Sequence, residues 1–180
     1  CYERVRGFVN YEPVFEDYYF QALLSMIKDN IQGAELRLDI PDYLYDTEGK
    51  TYKTAHMIKL LKSAFNDAQQ VGSEDNFGLK IIFTTQRSEN KLEMIEYLRT
   101  TFMLKNEYPD LIAGYDISGN NNWPKHFRSY LDLTENIKNL QELENEFGIT
   151  MPLYFHDNEN FSAKDQGLYD AVLLECKRMG

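Results

Sequence analysis

The chain has 180 residues, of which 43% are hydrophobic, and it carries 19 lysines and arginines against 29 aspartates and glutamates, a formal net charge of -10. Nucleic-acid binding requires clustered cations and a membrane span requires roughly twenty consecutive apolar residues, so the sequence predicts neither partner. Cys1 and Cys176 are the only cysteines, which excludes a disulfide-rich scaffold and every Cys-x-x-Cys metal site.

Predicted helices and strands alternate along the chain. Apolar residues at helical spacing mark five stretches, which in chain order are 15–27, 57–68, 92–102, 137–147 and 168–176. Runs of β-branched or aliphatic residues mark four strands, which in chain order are 34–40, 79–83, 111–117 and 151–155. Pro109 lies beyond the third helix and Gly148 stands at the expected end of the fourth.

This alternation predicts a parallel sheet with helical crossovers, which occurs in open doubly wound sheets and in closed barrels. None of the ten glycines forms the Gly-rich turn of a doubly wound nucleotide fold. Polar residues follow the strand ends instead, where the strands of a barrel converge on one mouth. They are Arg37, Asp39, Arg87, Ser88, Asp116, Ser118, Gly119, His156 and Glu159. We therefore predict an α/β fold, part of a (β/α)8 TIM-type barrel.

Four βα units make half of such a barrel. We therefore interpret residues 1–180 as one partial barrel domain whose N- and C-terminal parts are missing.

The sharpest local motif is His156-Asp157-Asn158-Glu159, which follows an apolar strand. An imidazole at a strand end can bind a metal ion, and a carboxylate three residues later can transfer protons at the same mouth. The alternative is a strand-end histidine that hydrogen-bonds only to the backbone. His-x-x-Glu taken alone does not decide between the two.

A second motif, Gly114-Tyr115-Asp116-Ile117-Ser118-Gly119, also runs from a strand into small residues. Gly119 allows close approach of the backbone to a ligand, and Asp116 can orient a histidine or a metal-bound group. The alternative is that Gly119 serves the turn and Asp116 caps the next helix.

Together with Glu35-Leu36-Arg37 and Phe155-His156-x-x-Glu159, this motif resembles the adenosine deaminases, and it looks most like the secreted adenosine-deaminase-related growth factors. The resemblance runs through nearly all of the chain. It implies a (β/α)8 barrel that binds one zinc ion, Zn2+, with this chain covering strands two to five.

The resemblance also implies roles for single residues. His156 matches a zinc ligand, and Glu159 matches the glutamate that exchanges a proton with N1 of the purine. Gly119 matches the glycine whose amide contacts the purine, and Asp116 matches its companion in substrate binding. The remaining ligands, including a His-x-His pair, would lie outside residues 1–180. The family's usual His-Ala-Gly-Glu is here His156-Asp157-Asn158-Glu159, a difference that bears on substrate preference.

By this resemblance, the complete protein would be a zinc-dependent hydrolase that converts adenosine or 2′-deoxyadenosine to inosine or 2′-deoxyinosine and ammonia. Its partner would be a small purine nucleoside, it would be a homodimer, and it would be secreted, with a cytoplasmic location as the alternative. The chain alone would be inactive.

Two other functions remain open on the sequence alone. One is a non-catalytic binding or growth-factor module of the same fold, which the altered His156 to Glu159 turn suggests. The other is a metal-free glycosidase in which Asp116 and Glu159 act as paired carboxylates.

Overall fold

The structure, a computed structural model, describes residues 6–39, 41, 43–73, 75–86, 91–118, 134–156, 171–172 and 174–179. The chain folds into two compact units. The first comprises Cys1–Ala34 and Pro41–Leu79, and the second comprises Glu35–Ile40 and Lys80–Gly180. The interpretation of residues 1–180 as one partial domain stays a prediction.

The elements confirm the predicted alternation. After a short 3-10 helix, Arg6–Asn10, the helices are α1 (Glu12–Lys28), α2 (Thr54–Gly72), α3 (Lys91–Glu107) and α4 (Thr134–Phe147). The strands are β1 (Gly33–Asp39), β2 (Leu44–Tyr45), β3 (Thr51–Tyr52), β4 (Gly78–Gln86), β5 (Ile112–Ser118), β6 (Tyr154–Phe155) and β7 (Arg178–Met179). Within the described ranges, no helix has the length and apolar character needed to cross a membrane.

In the first unit, α1 and α2 pack against each other through the apolar faces that the helical spacing predicts. Burial of such side chains stabilises the unit by about 1.5–3 kcal/mol for each large aliphatic residue. The buried residues are Phe15, Leu23, Leu24, Ile27, Met57, Ile58, Leu61, Ala64 and Ala68.

A hairpin of β2 and β3, which no sequence pattern predicts, lies between β1 and α2 in the chain. Its turn is closed by Asp46, whose Oδ1 accepts the backbone N–H groups of Glu48 and Lys50, each at 2.9 Å. Gly49 follows with a φ of +79°, a conformation that glycine adopts without strain. Two strands of two residues each are too short for an alternating pattern to reveal them.

The sheet of the second unit brings the four predicted strands together in the order in which they follow one another in the chain. Hydrogen bonds link the strands in the order β1-β4-β5, and β4 and β5 run parallel. A parallel bridge between Tyr115 and Leu153 places the fourth predicted strand beside β5. β7 then pairs in parallel with β6.

Gly114 lies where β5 meets β6. An added Cβ would collide with the carbonyl oxygen of Pro152 and would lie 2.6 Å from the Tyr154 ring. The backbone N–H of the next residue, Tyr115, donates to that same carbonyl at 2.9 Å. Only glycine allows the two strands to approach this closely at this point.

We therefore expect Gly114→Ala to lower the free energy of unfolding of the full-length protein by about 1–3 kcal/mol, the usual cost of overpacking. Chemical denaturation followed by circular dichroism measures this. Gly7→Ala is the matched control, because an added Cβ there meets no atom within 4 Å. Equal stability of the two variants would contradict the packing role of Gly114.

Helix ends follow the sequence signals in part. α3 ends at Glu107, two residues before Pro109, and Gly148 follows α4 with a φ of +67°, as predicted. In α1, a left-handed Asn30 (φ +62°) ends the helix, and its N–H donates to Ile27 at 2.9 Å.

The predicted fifth helix, 168–176, is wrong at its C-terminal end. Ala171 and Val172 are helical, but Glu175 adopts a φ of +53°. The N–H of Glu175 donates to Val172 and that of Cys176 to Ala171, each at 3.0 Å, which is the Schellman pattern of a helix end. Cys176 therefore lies outside the helix, and its Sγ accepts the N–H of Phe155 at 3.4 Å.

Candidate functional site

Asp116, near the carboxyl end of β5, is the centre of a polar cluster in the second unit. Its side chain is fully buried and its carboxylate accepts four hydrogen bonds. Oδ1 accepts the backbone N–H of His156 at 3.0 Å. Oδ2 accepts from Arg37 Nη1 at 2.7 Å, from Thr84 Oγ1 at 3.1 Å and from His156 Nδ1 at 2.6 Å. Such a set of donors stabilises an ionised carboxylate in the interior.

The strands explain why these residues meet. Thr84 stands directly opposite Asp116 in the parallel register of β4 and β5, so both side chains leave the same face of the sheet. Arg37 lies on β1, on the other side of β4, and His156 directly follows β6. The carboxyl ends of the strands therefore gather these groups at one edge, as the barrel prediction requires.

The contacts determine which ring nitrogen of His156 carries the proton. Nδ1 lies 2.6 Å from Oδ2 of Asp116 and 3.0 Å from Nη1 of Arg37. A bare Nδ1 lone pair would repel the carboxylate at this distance, and Arg37 can direct its protons to Asp116 and to the Tyr154 carbonyl, 3.3 Å away. We therefore assign the proton to Nδ1, which leaves the lone pair of the neutral ring on Nε2.

That tautomer suits a metal ligand. Metal-binding histidines usually donate one ring N–H to a carboxylate and bind the ion with the other nitrogen. The His156 side chain is 28% exposed, whereas Asp116 is inaccessible. Across the residues that the structure describes, no three His, Cys, Asp or Glu side chains come together as a metal site. The proton on Nδ1 and the partial exposure of the ring make His156 chemically suited to be one ligand of a metal ion.

The opposite face of β5 is apolar and carries Tyr115. Its hydroxyl hydrogen-bonds to the hydroxyl of Thr85, and burial raises the pKa of the phenol well above its ordinary value. Tyr115 therefore stays neutral and belongs to the core.

The structure brings two of the four predicted site residues together. Asp116 and His156 are in direct contact, whereas Gly119 and Glu159 lie outside the described residues. The Asp116 carboxylate accepts from Arg37, Thr84 and His156, and none of these contacts is a helix cap. A glycosidase role for Asp116 is also disfavoured, because a fully buried carboxylate with four donors cannot reach a glycosidic bond.

The sequence patterns did not single out Thr84, and they assigned no role to Arg37. Thr84 directly follows the run from Leu79 to Phe83, which is apolar apart from Lys80, and a hydroxyl at the end of such a run was the available signal. Its partner lies 32 residues further along the chain, so no local pattern reveals it.

No protein-family model matches the chain. Among curated proteins, it is 28% identical over 179 residues to adenosine deaminase 2 of Dictyostelium discoideum, an alignment that covers 98% of the chain. It is 24% identical to human adenosine deaminase 2 over 98% of the chain, and 30% identical to adenosine deaminase of Phlebotomus duboscqi over 97%. The chain spans about one third of the length of these relatives, 32–33%.

Two solved structures resemble the chain in fold. Arabidopsis ADAL in complex with IMP gives a TM-score of 0.55 at 13% identity, covering 92% of this chain and 45% of that one. Adenine deaminase from Arthrobacter aurescens gives 0.53 at 18% identity, covering 93% and 45%. These likenesses confirm the predicted fold class, an α/β fold that is part of a (β/α)8 TIM-type barrel. Curated relatives that align with nearly all of the chain are adenosine deaminases, so the chain resembles this family along almost its whole length.

Proposed function

We propose that the full-length protein that contains this chain hydrolyses adenosine or 2′-deoxyadenosine to inosine or 2′-deoxyinosine and ammonia. The observation that carries this proposal is the carboxylate–histidine pair of Asp116 and His156 at neighbouring strand ends. It stands in a chain that aligns along nearly its whole length with adenosine deaminases. A buried carboxylate that holds one ring nitrogen prepares the other for a metal ion.

In this proposal, Nε2 of His156 would bind a zinc ion, and the other ligands would come from outside the described residues. Zinc, when bound, supplies a Lewis acid that lowers the pKa of a bound water toward neutrality. Asp116 acts through His156, because its carboxylate holds the imidazole by Nδ1 and also accepts the backbone N–H of the same residue.

Two further residues complete the proposal by their resemblance to the family. Glu159 follows His156 by three residues and would donate a proton to N1 of the purine, which makes C6 more electrophilic. The backbone amide of Gly119 would contact the same ring, since glycine allows close approach.

The test measures zinc content and adenosine deamination in the purified full-length protein. We expect His156→Ala to lower zinc affinity by more than about 100-fold, because loss of a ligand costs at least as much as loss of its partner. Deamination, followed by ammonia release, should fall with it. His56→Gln is the matched control: this histidine stacks on Tyr52 in the first unit at 4.3 Å, and its variant should keep both properties. Unchanged zinc content and turnover in His156→Ala would contradict the proposal.

A non-catalytic module of the same fold is the second candidate, and the departure of Asp157-Asn158 from the family's usual Ala-Gly favours it. It predicts that the wild-type protein binds a purine nucleoside without releasing ammonia. Equilibrium binding of adenosine, measured beside the ammonia assay, separates the two candidates.

Secretion and a homodimeric state also remain proposals, with a cytoplasmic location as the alternative. The resemblance to the growth-factor branch supports secretion. Detection of the full-length protein in culture medium, and its mass by analytical ultracentrifugation, test the two proposals separately.

A further inference from the structure

We infer that Arg37 is a positioning residue for the histidine site: it fixes Asp116 and the backbone at the end of β6, and through them the direction of the His156 imidazole. The inference rests on the proposed function only in taking Nε2 of His156 as a metal ligand. The inferred role is exerted through these neighbours and not through the substrate.

One nitrogen of Arg37 makes all of the relevant contacts. Nη1 donates to Oδ2 of Asp116 at 2.7 Å and to the carbonyl oxygen of Tyr154 at 3.3 Å, and it lies 3.0 Å from Nδ1 of His156. Tyr154 is in β6, two residues before His156. The guanidinium therefore contacts both the carboxylate that accepts the imidazole hydrogen bond and β6, the strand directly before His156.

The position of Arg37 in the sheet makes these contacts long-range. β1 and β5 are separated by β4, so the side chain of Arg37 reaches over β4 to Asp116. β4 adds Thr84, which donates to the same Oδ2. Side chains from β1, β4 and β5 and from the end of β6 thus meet at Oδ2 of Asp116. Removal of Arg37 leaves this oxygen with two of its three hydrogen-bond donors.

The burial of the pair distinguishes it from a surface ion pair. The side chain of Arg37 is 23% exposed and that of Asp116 is 0% exposed. Arg99 and Glu146 form a second arginine–carboxylate pair in the same unit, bidentate at 2.7 and 2.8 Å, but both side chains are 49% exposed. Exposed pairs contribute little, so Arg99 is the matched control for removal of an ion-paired guanidinium.

A role limited to fold stability would leave zinc affinity unchanged in any variant that folds. A positioning role predicts a different result. Without Arg37, the carboxylate and the β6 end gain freedom, and the imidazole no longer presents Nε2 in one direction. Loss of a residue that orients a metal ligand typically lowers metal affinity by about 10–100-fold.

The experiment compares wild type, Arg37→Gln and Arg99→Gln in the full-length protein. Zinc affinity is measured by competition with a chelator, kcat and KM with adenosine, and folding by circular dichroism. We expect Arg37→Gln to lower zinc affinity by about 10–100-fold and to reduce kcat, with KM nearly unchanged. Arg99→Gln should match wild type. Wild-type zinc affinity in Arg37→Gln, or an equal loss in Arg99→Gln, would overturn the inference.

If Arg37→Gln fails to fold, Arg37→Lys carries the test. The ammonium keeps the charge, but on a shorter stem it cannot hold Asp116 and the Tyr154 carbonyl together, so we expect about a tenfold loss of zinc affinity. Wild-type affinity in Arg37→Lys would overturn the inference.

The inference and the proposed function can fail separately. If zinc binding depends on Arg37 but the protein does not deaminate adenosine, the inference is supported and the proposed function is contradicted. If deamination is lost in His156→Ala but unchanged in the Arg37 variants, the proposed function is supported and the inference is contradicted.

Discussion

Replacing Glu159 by glutamine is expected to reduce adenosine deamination by the full-length protein by about 10²- to 10⁴-fold, the range for loss of a general acid. A carboxamide has nearly the same shape as the carboxyl group, but it cannot deliver a proton to N1 of the purine. Because Glu159 is proposed to transfer a proton and not to bind the metal, zinc should remain bound. Full zinc content together with a low kcat is therefore the expected result.

The measurement is kcat from ammonia release, read beside zinc content for each preparation. Glu146→Gln is the matched control, because it makes the same chemical change at an exposed glutamate that is paired with Arg99. It should leave kcat and zinc content at their wild-type values. Near-normal turnover in Glu159→Gln would exclude the role proposed for Glu159.

Asp116→Asn is expected to lower the free energy of unfolding by about 3 kcal/mol, the cost of leaving a buried ion without its partner. Asparagine keeps one side-chain oxygen but has an NH2 group in place of the other. If that group takes the place of Oδ2, the donors around it have no acceptor. Arg37, Thr84 and the imidazole of His156 all donate to Oδ2 in the wild type. Zinc affinity should also fall by about 10–100-fold, because the imidazole loses the group that orients it.

Chemical denaturation and chelator competition measure these two effects in the same preparations. Glu146→Gln again serves as the control, since it removes a carboxylate from an exposed arginine pair and should change stability little. Wild-type stability and zinc affinity in Asp116→Asn would show that the buried carboxylate neither holds Arg37 nor orients His156.

The local structure of the chain was predictable because its signals are local. Apolar residues at helical spacing placed α1 to α4, and Gly148 ended α4 as predicted, since glycine adopts a positive φ without strain. Where a residue other than glycine ends a helix with a positive φ, the sequence carries no such signal. Glu175 ends the last helix in the left-handed region, so the periodicity wrongly extended that helix to Cys176.

The sequence by itself determined that strands and helices alternate, that polar residues follow the strand ends, and that Asp116 and His156 are candidates for one site. Only the tertiary structure decided that Asp116 binds His156 Nδ1, and that Arg37 and Thr84 complete this contact. Arg37 lies 79 residues from Asp116 and 119 from His156. Periodicity reports which face of an element is buried, but strand pairing and register decide which distant side chains meet, and hence which nitrogen of His156 carries the proton.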